Sequence, residues 1–120
     1  MYNRVFKDKN DFINVIYRGI QNPEMTAVMI KQMNILITVL DKKKIPINII
    51  VNLKKLRKST AGSRKITVDA LKRISFRKIA IYGANTFYMH LARFMFYAAG
   101  KSDKMSIFRN RSDAIDWLKE

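Results

Sequence analysis

The segment IPINIIVNL, residues 45–53, determines the fold class that the sequence predicts. It is short, apolar and rich in β-branched side chains, which is typical of a strand buried on both faces of a parallel sheet. The basic segment LKKLRKSTAGSRK, residues 53–65, comes next, and a helical pattern occupies residues 63–74. We therefore expect a central strand, a basic loop and a helix, which together form the start of a strand–helix repeat.

Two elements are predicted before this strand. The segment RVFKDKNDFINVIYRG (4–19) has two β-rich runs around a polar turn, and it predicts a hairpin. The segment NPEMTAVMIKQMNILITVLDKKK (22–44) predicts a helix that Asn22 caps and Pro23 begins.

Strands and helices continue to alternate after residue 74. Strands are predicted in RKIAIYGA (77–84) and KMSIFRN (104–110), and helices in NTFYMHLARFMFYAAGK (85–101) and RSDAIDWLKE (111–120). The order ββαβαβαβα predicts one α/β domain over residues 1–120. We expect a mostly parallel sheet with an N-terminal antiparallel hairpin and covering helices.

Net charge is the unusual feature of the composition. Twenty-four Lys and Arg residues against nine Asp and Glu residues give a formal charge of +15. A domain this basic attracts polyanions, which include nucleic acid, an acidic protein and an anionic membrane surface. The cations are spread along the whole chain, which is also rich in Lys, Ile and Asn. A purely compositional origin of the charge therefore stays open beside a binding role.

Several classes of protein are disfavoured by the composition. The chain has no cysteine and a single histidine, His90, so thiolate and histidine metal clusters are not expected. It has no P-loop, nucleophile elbow or dinucleotide fingerprint, and we predict neither catalysis nor a cofactor. It also shows no signal-peptide pattern and no apolar run of roughly 20 residues, so we expect a cytoplasmic protein without a transmembrane segment.

A hydroxyl cluster lies at the predicted start of the second helix. Ser59, Thr60 or Ser63 can cap that helix, and a helix N-terminus also attracts phosphate and other anions. The surrounding cations would strengthen this attraction, and they are Lys54, Lys55, Arg57, Lys58, Arg64 and Lys65. The cluster is therefore a candidate phosphorylation or anion site, a nucleic-acid contact, or an ordinary cap.

The predicted helix over residues 86–99 is apolar on almost every side. One face must pack on the sheet, and a second apolar face needs a cover of its own. That cover could be a neighbouring helix, another protein or a second copy of the chain, or an apolar ligand. The candidate residues of this surface are Phe87, Tyr88, Met89, Phe94, Met95 and Tyr97.

Three segments of the C-terminal half have a recognisable pattern, namely KIAIYG (78–83), LARFMFYAAGK (91–101) and IFRNRSDAIDWLK (107–119). With the order of elements, they resemble the STAS-domain superfamily. The resemblance is to the SpoIIAA-like branch, also labelled STAS/SEC14-like, which includes the anti-sigma-factor antagonists. It implies a non-catalytic, bacterial-type signalling module that docks on another protein, and the SEC14-like label keeps a lipid-type apolar ligand open.

The resemblance also implies a switch. In that family, a kinase stops docking by phosphorylating a hydroxyl at the start of the helix after the central strand, within the motif Asp-Ser-Ser/Thr-Gly/Ala. This chain has Lys58-Ser59-Thr60-Ala61-Gly62 at that place. Thr60 thus matches the phosphorylated residue, while Lys58 departs from the family's Asp.

Overall fold

The computed structural model describes residues 2–120 of the chain. Its elements follow in the predicted order ββαβαβαβα, which confirms the α/β class. They are β1 (Arg4–Lys7), β2 (Ile13–Gln21), α1 (Pro23–Lys42), β3 (Asn48–Ser59), α2 (Ala61–Arg73), β4 (Lys78–Tyr82), α3 (Thr86–Ala98), β5 (Met105–Phe108) and α4 (Arg111–Lys119), with a 3-10 turn at Ser102–Lys104.

The five strands lie in one sheet in chain order, β1-β2-β3-β4-β5. β1 is antiparallel to β2, as the predicted hairpin requires, and the other neighbours are parallel. Right-handed crossovers that all step in one direction place their helices on the same face of a sheet. α1, α2 and α3 therefore cover one face, and α4 is left to pack on the other.

The face under α1, α2 and α3 carries the larger apolar core. Its largest fully buried side chains come from the sheet and from α1, and they are Ile13, Met29, Leu40 and Ile49. These residues alternate with outward-facing neighbours along the strands, which is the pattern that a sheet with two different faces requires.

The contact between α4 and the sheet is closer. Ala114 and Leu118 of α4 are buried against Ile50, Ala80 and Tyr82. Two alanines at the centre of this contact leave little space between helix and sheet, and α4 lies nearer to the strands than α2 and α3 do. α4 packs on β3, β4 and β5, so it covers only part of its face.

Each of the four α-helices within residues 2–120 begins at a side chain that accepts a hydrogen bond from the helix's own first turn. Asn22 caps α1, as predicted, with its Oδ1 accepting from the backbone N of Met25 at 2.9 Å. The other N-caps are Thr60, Asn85 and Asn110. Such caps each contribute about 1 kcal/mol to helix stability.

The predicted end of the central strand is wrong. β3 does not stop at Leu53 but continues to Ser59, and α2 begins at Ala61 without an intervening loop. The strand is longer because β2 runs to Gln21, which pairs with Ser59 and so supplies hydrogen-bond partners along the whole extension. The basic segment is therefore mostly strand, and it extends beyond the end of β4.

Candidate functional site

Thr60 is an exposed helix cap. Its hydroxyl oxygen accepts a hydrogen bond from the backbone N of Ser63 at 3.1 Å. Ser63 itself is buried, and its hydroxyl lies 2.5 Å from the hydroxyl of Thr26 on α1. Ser59 is half-buried at the end of β3. Of the three predicted hydroxyl residues, Thr60 is thus the most exposed.

Arg64 lies beside this cap. From the first turn of α2 its Nη1 donates to the carbonyl oxygen of Ser59 at 2.6 Å and to the Ser59 hydroxyl at 3.1 Å. The first turn of α2 holds no acidic residue. The charge of the Arg64 guanidinium and the positive end of the helix dipole therefore add up to a positive potential beside Thr60.

The predicted basic patch is divided by the sheet. Leu53, Leu56 and Ser59 all line the space under α2 and α3. The register between β2 and β3 shifts twice, and each shift places one extra residue in β3. The two residues between Leu53 and Leu56, and the two between Leu56 and Ser59, therefore lie on the opposite face of the sheet. Those exposed residues are Lys54, Lys55, Arg57 and Lys58, whereas Arg64 and Lys65 stay on α2.

α3 leaves an aromatic face uncovered, which we call the α3 aromatic face and define as Phe87, Phe94 and Tyr97. Their side chains are 67%, 68% and 75% exposed. They are spaced by seven and three residues, so they share one side of the helix. The opposite side is buried through Ala92 and Phe96. The other predicted surface residues are half-buried, namely Tyr88, Met89 and Met95.

The aromatic face and the Thr60 cap belong to the same edge of the molecule. The Tyr88 hydroxyl donates to the carbonyl oxygen of Arg57 at 3.0 Å, which joins the first turn of α3 to the end of β3. The rings of Phe87 and Tyr88 meet edge to face at 5.2 Å between centroids. A partner on α3 would therefore also lie near the start of α2.

A cavity of about 130 Å³ lies between the sheet and α1, α2 and α3. The strands form its floor, and Met29, Leu71 and Phe96 are among the residues of its walls. An apolar cavity of about 150 Å³ is large enough to hold benzene. This cavity therefore has room for a small ring or a short acyl segment, while pockets for drug-sized ligands begin at about 300 Å³.

One end of the cavity is polar. Tyr17, Gln21 and Thr67 line it together with Ser59 and Arg64. Burial raises the pKa of Tyr17 to about 12, and a hydrogen bond with Thr67 offsets part of that rise. The amide of Gln21 is buried in a reciprocal pair with Asn3, with a distance of 2.7 Å from Asn3 Nδ2 to Gln21 Oε1. The cavity thus suits a mainly apolar group with a polar end.

The polar residues Tyr17 and Gln21 at this end of the cavity were not predicted as site residues from the sequence. A signal was present, because Tyr17 and Gln21 continue the alternation of Ile13 and Val15 along β2 and so face the same core. The helix that covers them could not be identified from β2 alone.

Within residues 2–120, no three His, Asp or Glu side chains converge in a way that could hold a metal ion. His90 is exposed on α3. No helix in that same part of the chain is long and apolar enough to cross a membrane.

Two solved structures share this architecture. An uncharacterized protein of the DUF3478 family with a SpoIIAA-like fold, from Shewanella loihica PV-4, is 18% identical, with a TM-score of 0.69 over 97% of this chain and 91% of that one. The anti-sigma factor antagonist SpoIIAA in its unphosphorylated form is 11% identical, with a TM-score of 0.60 over 98% and 97% of the two chains.

Comparisons by sequence give no match. No protein-family model matches the chain, and no curated protein matches it. At these identities, the likeness to the two solved structures concerns the backbone, and it agrees with the predicted resemblance. The chain therefore has a SpoIIAA-like fold.

Proposed function

We propose that this protein is a non-catalytic regulatory module of the cytoplasm that docks on another protein through the α3 aromatic face. The observation that carries the proposal is the exposure of Phe87, Phe94 and Tyr97 on one side of a helix whose other side is buried. Aromatic side chains are enriched at the centres of protein interfaces, where they account for much of the binding energy.

Thr60 is the proposed control point of this docking. A phosphate on its hydroxyl would add about 1.5 to 2 negative charges. Arg64 and the α2 N-terminus can pair with that phosphate, and the local field at the edge of the docking surface would reverse in sign. The likeness to an anti-sigma factor antagonist supports a switch at this place, and the exposure of Thr60 supports access by a kinase.

The docking proposal is tested with two double variants, each of which replaces two exposed apolar residues by serine. Phe87→Ser/Phe94→Ser alters the α3 aromatic face, and Val28→Ser/Ile35→Ser alters exposed apolar residues of α1. A partner captured from cells with wild-type protein is purified, and its affinity for each variant is measured by calorimetry. We expect the α3 variant to bind at least tenfold more weakly and the α1 variant to bind within twofold of wild type.

The switch is tested on the same pair of proteins. Thr60→Glu should weaken binding of the partner, while the neutral Thr60→Gln should retain most of it. If both α3 and α1 variants bind as wild type does, the docking surface is wrong. If only Thr60→Glu is without effect, docking stands and the switch is wrong. A second copy of the chain in place of a foreign partner would appear as a dimer in native mass spectrometry.

The cavity favours a second function, which is binding of a small apolar ligand. Its volume of about 130 Å³ suits a short acyl segment or a ring better than a complete lipid. Native mass spectrometry of the purified protein would reveal a co-purified ligand as a mass shift. Loss of that shift in an Ala92→Leu variant, which fills the cavity from α3, would assign the ligand to this space.

A further inference from the structure

The sheet face opposite α1, α2 and α3 is only partly covered. Within residues 2–120, α4 is the helix that packs on it, over β3, β4 and β5. Asn14 near the start of β2 is also buried on this face, so the open part consists of β1, the later half of β2 and the end of β3 beyond β4. In the row of facing residues Arg4–Ile16–Asn52–Tyr82, α4 packs at the Tyr82 end, and Arg4 is exposed at the other.

This open sheet face is strongly basic. Tyr17 faces the cavity, so its neighbour Arg18 projects to the open side, where the β3 cations also lie. Arg111, the first residue of α4, borders the same area, 3.9 Å from Asp8. The cations of the open sheet face are Arg4, Arg18, Lys54, Lys55, Arg57, Lys58 and Arg111.

Asp8 pairs with Arg111, but no carboxylate among residues 2–120 pairs with the cations of the open sheet face that lie on the strands themselves. Asp8 is held in its turn, where it accepts hydrogen bonds from the backbone N atoms of Asn10 and Phe12 at 2.8 and 3.0 Å. Asp113 and Asp116 lie on α4, beyond the open strands. A net positive field over β1, β2 and β3 therefore remains.

Two details indicate that this face is unsatisfied in isolation. Arg18 lies directly opposite Lys55 in the register of β2 and β3, and facing like charges destabilise a sheet. The Arg18 Nε is buried and has no hydrogen-bond partner among residues 2–120. A bound phosphate would offset the repulsion between Arg18 and Lys55, and both side chains could donate hydrogen bonds to it.

The face also offers a surface for stacking. The Arg4 guanidinium lies over the Phe6 ring, 4.8 Å from the ring centroid. A guanidinium stacked on a ring presents an outer plane on which a nucleobase can stack. Cations for phosphates beside such a plane form the usual combination in single-strand binding surfaces. An acidic protein would complement the charge, but only its occasional aromatic side chains could stack on this plane, whereas every nucleotide carries a base that can.

We propose that the open sheet face binds single-stranded nucleic acid, with its phosphates on Arg18, Lys54 and Lys55 and a base on the Arg4–Phe6 stack. The surface is separate from the α3 aromatic face, which lies on the other side of the sheet. Docking of a protein and binding of a nucleic acid are therefore compatible on one molecule.

The test compares charge-matched variants. Arg4→Gln/Lys55→Gln removes two exposed cations from the open sheet face, and Lys31→Gln/Lys72→Gln removes two exposed cations from α1 and α2. Binding of a fluorescein-labelled oligodeoxythymidine of about 12 nucleotides is followed by anisotropy between about 50 and 200 mM salt. Lys54→Gln/Lys58→Gln serves as an independent second pair on the open sheet face.

We expect at least tenfold weaker binding for each pair on the open sheet face and a change within twofold for the α1/α2 pair. The plot of log affinity against log salt should also become shallower by about 0.7 for each of these pairs, because each pair removes one lysine proposed to hold a phosphate and each phosphate contact to a single strand contributes about 0.7. Equal losses in all pairs, no binding at low salt, or tighter binding of a DNA duplex or of polyglutamate would each overturn the proposal.

Discussion

The Thr60 hydroxyl accepts its hydrogen bond from the backbone N of Ser63 at 3.1 Å, so the residue proposed to carry a phosphate also holds the first turn of α2. We expect Thr60→Ala to lower the free energy of unfolding by about 1 kcal/mol, because a cap is lost. Thr60→Ser keeps the hydroxyl and should stay within about 0.5 kcal/mol of wild type. Urea unfolding measures both, and equal stability of the two variants would contradict the role of the cap.

Two phenylalanines of α3 should differ sharply in their contribution to stability. Phe96 is 6% exposed and Phe94 is 68% exposed. We expect Phe96→Ala to cost about 3–5 kcal/mol of unfolding free energy, because it enlarges an existing cavity as well as removing buried apolar area. Phe94→Ala should change that free energy by no more than about 0.5 kcal/mol.

Thermal and urea unfolding of the two α3 variants provide the measurement. A large loss of stability in Phe94→Ala would show that its ring is covered in solution, by a second copy or by a bound molecule. That result would also change the docking proposal, since the α3 aromatic face would no longer be free for a foreign partner.

Local signals in the sequence predicted most of the fold. The β-branched run around Ile49 identified the central strand, and Asn22 with Pro23 identified the start of α1, because these signals depend on neighbours within a few residues. The end of β3 was missed because it depends on β2, whose extension to Gln21 lies far away in the chain. The turn-forming and basic residues at the end of β3 are typical of a loop, and only their pairing with β2 identifies them as a strand.

The candidate sites also divide into features that local sequence signals predicted and features that depend on residues far away in the chain. A second apolar face on α3 was predicted because eight apolar residues on one short helix exceed what one buried face can hold, and the prediction left open what covers that face. The distribution of the basic segment over both faces of the sheet was not predictable. Leu53, Leu56 and Ser59 are three residues apart, and this spacing fits one face of a strand only because of the register shifts against β2. The cavity depends on the distance between α2, α3 and the sheet, for which the sequence has no local signal.

Alanine-to-leucine substitutions should report this difference in packing between the two faces. Ala92 lines the cavity, whereas Ala114 is fully buried in the close contact between α4 and the sheet. We expect Ala92→Leu to change the unfolding free energy by less than about 1 kcal/mol in either direction, because the cavity accepts the added atoms. Ala114→Leu should cost about 1–3 kcal/mol or more, because overpacking forces α4 away from β4.

Chemical denaturation of both alanine variants, with circular dichroism as the signal, provides the comparison. Similar costs for Ala92→Leu and Ala114→Leu would mean that the space under α2 and α3 is closed in solution. In that case the proposed ligand function would lose its structural basis, and the docking proposal would be unaffected.

The buried hydroxyl of Tyr17 should make stability fall at high pH. Burial raises its folded-state pKa from 10.0 to about 12. Above pH 10 the unfolded chain releases this proton while the folded chain retains it, so the contribution is complete below pH 10 and is lost as pH rises to about 12. The loss should amount to roughly 2–3 kcal/mol, at 1.36 kcal/mol for each unit of pKa difference.

Tyr17→Phe removes this titration, so its unfolding free energy should fall less than that of wild type between pH 10 and pH 12. Burial also raises the pKa of Tyr82, so part of the decline with pH should persist in the variant. Tyr2→Phe is the matched control, because the same change at this side chain, which is 86% exposed, removes no buried hydroxyl. Parallel profiles for wild type and Tyr17→Phe would show that water reaches the polar end of the cavity, since a hydrated hydroxyl would titrate alike in the folded and unfolded chains.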